Sequence, residues 1–457
     1  MLKSLVNFTF NDREFYKTLS KLALPIFVQN LITSSLNMVD TIMVGRLGEL
    51  ELASVGIVNQ IFFLFNFIIV GITAGCGVFI AQYSGIKDTK NIKKVLGISL
   101  SMVVINAAIF MIAGLIFPEN VMGLFSKETE VVLLGKEYFQ VVCISYIFTA
   151  ITFSFANASK SIGNTAVPMV TSFIAVTTNI ILNYILIFGK LGFPAMGVKG
   201  AAMATVIARI LETTILLTYI YSKKGILAAK LNELFSFNKA FLLKVLKTVS
   251  DTVLIEITWA LGVVVYAAIY ARMGYKAIAA VNIHTTVQSF FLIAVYGISN
   301  SAVVMVGNEI GAGNEEKAKT YARRFAVLAV ILGLFLSALM AFSAKYVVTF
   351  FNISEGLRSD AIKVLYAAAI LFVSFVFDTI IMVGALRGGG DTKVPLIAET
   401  FTMWCLGVPL AYIGAFVLKL PIYGVIFFVN IEEFLKSIFV LYRLLSNKWM
   451  KKVIENA

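Results

Sequence analysis

Charge is what this 457-residue chain has least of. Asp, Glu, Lys and Arg fill 14% of positions, against about 25% in soluble domains, while hydrophobic residues fill 59% and mean hydropathy is +0.91. A soluble fold is excluded, because it would have no way to cover that much apolar surface. There is one histidine, His284, and the three cysteines Cys76, Cys143 and Cys405 stand at unrelated spacings. Neither a disulfide framework nor a metal cluster fits, and the cysteines read as small apolar packing residues. No convergent set of nucleophile and base is visible either, which speaks against an intramembrane enzyme. The phosphate-cradling loop of Walker type is missing, so ATP is not the energy source. The run Gly388-Gly389-Gly390-Asp391 reads instead as a tight turn. Basic residues exceed acidic ones by 13, yet they lie in short loops without interleaved aromatics, so no nucleic-acid partner is expected. The first sixteen residues carry Lys3, Asp12, Arg13 and Glu14 and no small-residue cleavage site, so no removable signal peptide is expected.

What the chain has is long apolar runs. Stretches of roughly 20 residues, enough to cross a ~30 Å hydrocarbon core, recur near 17–42, 52–82, 93–117, 132–158, 164–188, 196–221, 245–271, 278–309, 319–345, 360–386, 395–418 and 422–445. The fold class read from them is an all-α integral membrane protein of twelve transmembrane helices. With loops assigned alternately to the two sides, the side holding both termini collects more than twice as many Lys and Arg as the other. The positive-inside rule then puts both termini in the cytoplasm, for a multi-pass protein of the plasma (inner) membrane. The lipid bilayer is its solvent, and a monomer is expected.

An internal repeat organises the spans. Leu52 to Lys93 lies over Ile278 to Lys319 without a gap at an offset of 226, pairing Gly71 with Gly297 and Gly85 with Gly311. At an offset of 227, Gly163-Asn164-Thr165-Ala166-Val167-Pro168 falls on Gly390-Asp391-Thr392-Lys393-Val394-Pro395. Hydrophobic bias does not align loop glycines, prolines and charges. The expected organisation is a six-helix lobe over 1–221, a basic amphipathic cytoplasmic linker over 222–250 and a second six-helix lobe over 251–457. Six spans per lobe give both lobes one orientation, the parallel-repeat arrangement of certain transporters.

Ionisable groups inside spans are costly and are functional candidates by default. Asp40, with Asn37 three residues before it, lies on the first span as an ion-coupling acid or as a headgroup-exposed one. Asn179 and Asn183 on the fifth span share a face at i,i+4, suited to a hard cation, to a carboxylate or to helix packing. In the second lobe Glu256 lies on the seventh span and Asp378 on the tenth. Glu256 falls on Gln29 at an offset of 227. Arg209 with Glu212, and Glu433 with Lys436, read as i,i+3 pairs that neutralise one another. Glu399 reads as near the interface. His284, among Thr285, Thr286 and Gln288, reads as a hydrogen-bonded polar residue or a proton shuttle.

Pro25, Gln29, Asn37 and Asp40, followed by Met43-Val44-Gly45-Arg46-Leu47-Gly48 and Leu52-Ala53-Ser54-Val55-Gly56, closely resemble the multidrug and toxic compound extrusion (MATE) family of bacterial and archaeal type. The resemblance covers essentially the whole chain. It implies a V-shaped pair of six-helix bundles that exports amphipathic, often cationic, compounds in exchange for Na⁺ or H⁺ by alternating access, with no other cofactor. It further implies an amino-terminal cation site made by Asp40 with Asn179 and Asn183, where some members carry Asp at the position of Asn183. Asn157, Gln29 and Asn37 would support that site, and Pro25 would bend the first span. In the second lobe it implies cation binding by Glu256 and Asp378, although Ser374 stands where that branch often has Tyr. The rival reading is a lipid-linked oligosaccharide flippase of related architecture. That would want several Arg in a cleft, and Arg209 alone lies well inside an expected span, Arg323 and Arg324 falling at the start of theirs.

Overall fold

The computed structural model describes residues 12–351 and 353–454. Among them there is no strand, and twelve long helices follow one another: α1 (Arg13–Gly45), α2 (Glu49–Gly85), α3 (Thr89–Ile116), α4 (Thr129–Ser161), α5 (Ala166–Phe188), α6 (Gly197–Ser222), α7 (Lys239–Arg272), α8 (Tyr275–Gly311), α9 (Glu315–Val348), α10 (Glu355–Leu386), α11 (Lys393–Val417) and α12 (Ile422–Leu445). Ten of these are long and apolar enough to span a membrane unaided. The other two depart for identifiable reasons. In α4 the helix is interrupted after Val142 and bends by 49° before Ser145, where the Ser145 hydroxyl donates to the Val142 carbonyl at 2.6 Å. In α12 the cause is charge: Glu432, Glu433 and Lys436 sit mid-helix.

Large apolar side chains cover the outside, among them Phe342 at 78% exposure and Ile370 at 63%. Such surface is an aggregation hazard in water and the natural contact for acyl chains, so the fold is that of a multi-pass membrane protein.

Two compact units divide the chain. The amino-terminal one holds Pro25–Ile80 and Asp88–Val253; the carboxy-terminal one holds Ala81–Lys87, everything described from Leu254 onward, and the described residues up to Leu24. The division therefore cuts α1 at Pro25, which cannot donate a backbone hydrogen bond within the helix, and it also cuts α2 and α7. Within the carboxy-terminal unit the end of α2 crosses α8 at two glycines. A side chain on Gly85 would strike the Asn308 backbone, and one on Gly311 would strike the Gln82 backbone. Gly85 and Gly311 are 226 apart, and so are Gln82 and Asn308, so the contact is reciprocal, each repeat presenting the same glycine to the same position of the other.

The end of the chain returns to this crossing. Asp391, wholly buried after the turn at Gly390 (φ +85°), accepts from Arg443 Nε and Lys451 Nζ, each at 2.6 Å. Lys451 N donates to Gly389 O at 2.7 Å, while Gln82 donates to Lys451 O at 3.0 Å and accepts from Val453 N at 2.9 Å. Trp449, 1% exposed, fills the space beside Gly389. The turn expected at 388–391 is thus also the anchor of the tail.

Candidate functional site

In the amino-terminal unit α1 and α5 run side by side. Gln29 Nε2 donates to Ser172 Oγ at 3.1 Å and Asn183 Nδ2 donates to Asp40 Oδ1 at 2.6 Å. Both bonds span 143 residues and lie eleven residues apart, about three helical turns, so the helices are parallel and in register. Asn183 also donates to Asn179 Oδ1 at 3.0 Å, as i,i+4 spacing allows. With the Asn179 amide turned the other way, that bond is given up and the Asn179 nitrogen faces Asp40 Oδ1 at 3.1 Å instead. Asn179 and Asn183 are 3% and 1% exposed and Asp40 is half-buried. A carboxylate facing two carboxamides away from bulk water suits exchange between a proton and a small cation, since amides donate to the ionised acid and offer oxygens to a cation.

The three supporting residues differ in placement. Gln29 joins a separate relay: Ser172 Oγ donates to Glu212 Oε1 at 2.7 Å, and Arg209 holds Glu212 Oε2 at 2.6 Å. The i,i+3 pair Arg209–Glu212 is present, with Glu212 2% exposed. Asn37 is exposed on α1. Asn157 faces Gly77, its carboxamide atoms 3.6 Å from where a side chain there would begin, and the hydrogen bonds of Asp40, Asn179 and Asn183 run to one another and to Thr205 instead.

In the carboxy-terminal unit the two acids have separate partners. Asp378, 3% exposed on α10, accepts from Ser437 Oγ at 3.0 Å through Oδ2, while Oδ1 has no donor. Glu256 on α7 lies 3.4 Å from Arg387 Nη2, with Arg387 5% exposed. Arg387 was not among the charges expected inside a span; it directly follows the last turn of α10, a π-helical stretch from Ile381 to Leu386. Such wide turns concentrate at functional positions.

Two sequence expectations change here, those for Lys436 and His284. Glu399 is 3% exposed, and Lys436 of α12 meets it at 3.0 Å. Lys436 does pair with Glu433 at 3.1 Å, yet it is shared with Glu399 and Glu432 as well. His284 is buried with neither ring nitrogen hydrogen-bonded, since Thr285 and Thr286 spend their hydroxyls on the Asn282 carbonyl of their own helix. Of the cysteines, Cys76 and Cys143 are buried and Cys405 is exposed.

Glu432 is fixed by Thr402 Oγ1 at 2.8 Å, from the π-helical stretch Thr402–Gly407, and by the Tyr266 hydroxyl at 3.3 Å. Gly407 makes room for this: a side chain there would run into the Tyr266 hydroxyl and come within 3.0 Å of Glu432 Oε2. Gly407→Ala is expected to destabilise the protein by about 1–3 kcal/mol through overpacking, read as a lower thermal unfolding midpoint. Adding Tyr266→Phe, which removes the obstructing oxygen, should restore part of the loss. An unchanged midpoint in Gly407→Ala would show that the crossing has slack.

Comparison with known proteins agrees with this architecture. The MatE family model matches residues 25–185 and again 252–413; the matches start 227 residues apart, the offset of the repeat. A protein of Thermotoga maritima named probable multidrug resistance protein NorM is 27% identical, covering 96% of this chain and 94% of its own. The uncharacterized transporter YisQ of Bacillus subtilis is likewise 27% identical, covering 96% of each chain. Among solved structures, a MATE protein in the bent conformation superposes with a TM-score of 0.86 at 21% identity over 95% of this chain and 96% of that one. A MOP superfamily transporter from Pyrococcus furiosus gives the same score and identity over 97% and 98%. With both halves matched by one family model and nearly the full length covered by its relatives, the chain belongs to the MatE family of multidrug and toxic compound extrusion transporters.

Proposed function

We propose that the chain is a secondary active exporter of amphipathic, often cationic, compounds, driven by H⁺ or Na⁺ moving down its gradient through carboxylates in both units. The observation that carries this reading is the Asp40–Asn183–Asn179 cluster, an acid held by carboxamides between two parallel membrane helices. Such a group would have little purpose in a passive scaffold, because ionisable residues at membrane depth are expensive to keep. Relatives named as probable multidrug resistance proteins support the direction and the kind of cargo. Coupling requires that the inward- and outward-facing states differ in affinity for ion and substrate. Protonation or cation binding at Asp40, Glu256 and Asp378 would supply that difference.

The test is dye efflux from proteoliposomes with a pH gradient and a Na⁺ gradient imposed separately. At least one gradient should accelerate efflux, and Glu256→Gln and Asp378→Asn should each reduce the accelerated component by about 5–150-fold, the span of a coupling free energy of ~1–3 kcal/mol. Wild-type efflux in both variants would remove the carboxy-terminal acids from the assignment.

A further inference from the structure

Lys436 on α12 is the centre of a charged group that lies beside the coupling acid Asp378. Its ammonium has three donors, and three carboxylates stand within reach: Glu399 Oε2 at 3.0 Å, Glu432 Oε1 at 3.1 Å and Glu433 Oε1 at 3.1 Å. The side chains of Lys436, Glu399 and Glu432 are 3%, 4% and 2% exposed, and that of Glu433 is 14% exposed. One positive charge thus serves three acids. With all three ionised, two negative charges would stand uncompensated out of water, a state that buried carboxyls leave by taking up protons.

Donors are shared unequally among the three. Glu432 receives Thr402 and Tyr266 besides Lys436, which suits a carboxylate. Glu399 receives Lys436 alone, on Oε2; its buried Oε1 has no donor. A proton turns such an oxygen from an orphan acceptor into part of a neutral acid. A metal ion suits the place poorly, because the ammonium already sits where a cation would. No group of three His, Cys, Asp or Glu able to hold a metal occurs among the described residues.

The charged and titratable groups facing the cluster from neighbouring helices are Asp378 on α10, Glu256, Tyr266 and Tyr270 on α7, and Arg387 after α10. Arg387 is engaged with Glu256, so the neighbours bring further acids and no spare cation. Asp378 Oδ1, also buried and without a donor, repeats the shortage beside it.

We propose that Glu399, Glu432, Glu433 and Lys436 form a proton-binding site in the carboxy-terminal unit, with Glu399 as the carboxyl that carries the proton. This rests on the ion-driven reading above and deepens it, by naming H⁺ as an ion that this unit exchanges. In the exchange step only the O–H bond of the Glu399 acid breaks. The proton leaves to water, Glu399 becomes a carboxylate, and Lys436 stays an ammonium with one more anion to hold.

The experiment uses the full chain, purified and reconstituted, and reads the carbonyl stretch of protonated carboxylic acids by infrared spectroscopy against pH. As pH is varied, the protonated-carboxyl absorbance of wild type should contain a component that Glu399→Gln lacks and Glu432→Gln keeps. Should Glu399→Gln fail to fold, Glu399→Asp should retain the band at a shifted frequency. Identical protonated-carboxyl absorbance in wild type and Glu399→Gln, or an unshifted band in Glu399→Asp, would overturn the site. In the same liposomes, efflux driven by a pH gradient should fall at least several-fold in Glu399→Gln. Full pH-driven efflux in that variant would overturn the exchange step while leaving the export reading in place. Absence of driven efflux in wild type would sink the export reading, and the infrared band would still decide the site.

Discussion

Asp40→Asn is expected to reduce ion-driven efflux by about 5–150-fold while leaving the fold nearly intact. The amide has the size of the protonated acid, and it can still meet Asn183, which donates to Asp40 Oδ1 at 2.6 Å. What it loses is the ability to alternate between a charged and a neutral form. If Asp40 carries a proton, the variant stays fixed in the neutral state and coupling falls by about 5–150-fold, equivalent to ~1–3 kcal/mol. If Asp40 holds Na⁺, loss of its charge weakens the cation, and Asn179→Ala and Asn183→Ala should then cost almost as much, because their oxygens complete the ligand set. Efflux against pH and Na⁺ for the three variants separates the cases. Wild-type behaviour in all three would reduce the cluster to packing and leave coupling to the carboxy-terminal acids.

Much of this was legible in the sequence. Helix count and lobes follow from apolar runs of membrane length, and the repeat follows from glycines and prolines at a fixed offset; the reciprocal crossing of Gly85 and Gly311 is that repeat made physical. The pairing of Asn179 with Asn183 was legible because i,i+4 residues share a helix face. Contacts between distant helices were not. The i,i+3 rule finds Glu433 as a partner of Lys436, but Glu399 is 37 residues away and reaches Lys436 only because α11 packs on α12. Ser437 donating to Asp378 and Arg387 facing Glu256 are of the same kind, separated by 59 and 131 residues. The anchor at Asp391 was missed for a different reason. Three glycines before an acid signal a turn, and nothing local reveals that the chain end returns to it.

That anchor carries the largest expected effect on stability. Asp391→Ala removes a wholly buried carboxylate that holds Arg443 and Lys451, each at 2.6 Å. Breaking a fully buried pair costs ~3–5 kcal/mol. Lys451 is 46% exposed and Arg443 17% exposed, so both cations regain some water, and about 2–3 kcal/mol is the expected loss, the size of one or two hydrogen bonds to charged groups. Tail residues should lose protection as well. The amides of Lys451 and Val453, which bond to Gly389 O and Gln82 Oε1, should exchange with deuterium faster in Asp391→Ala. Unchanged thermal stability and unchanged exchange would mean that Trp449 and Gln82 hold the tail without the charge.

The most direct test of the central claim, that export is obligatorily tied to ion movement, reverses the usual assay. Proteoliposomes are loaded with substrate at high concentration, with no ion gradient imposed, and ion uptake is followed by an internal pH dye and by ²²Na⁺. Coupling free energy is reciprocal, so outward flow of substrate should draw H⁺ or Na⁺ into the lumen against its developing gradient, and Asp40→Asn should sharply reduce that uptake. Substrate leaving the liposomes with no ion entering in exchange would contradict the account.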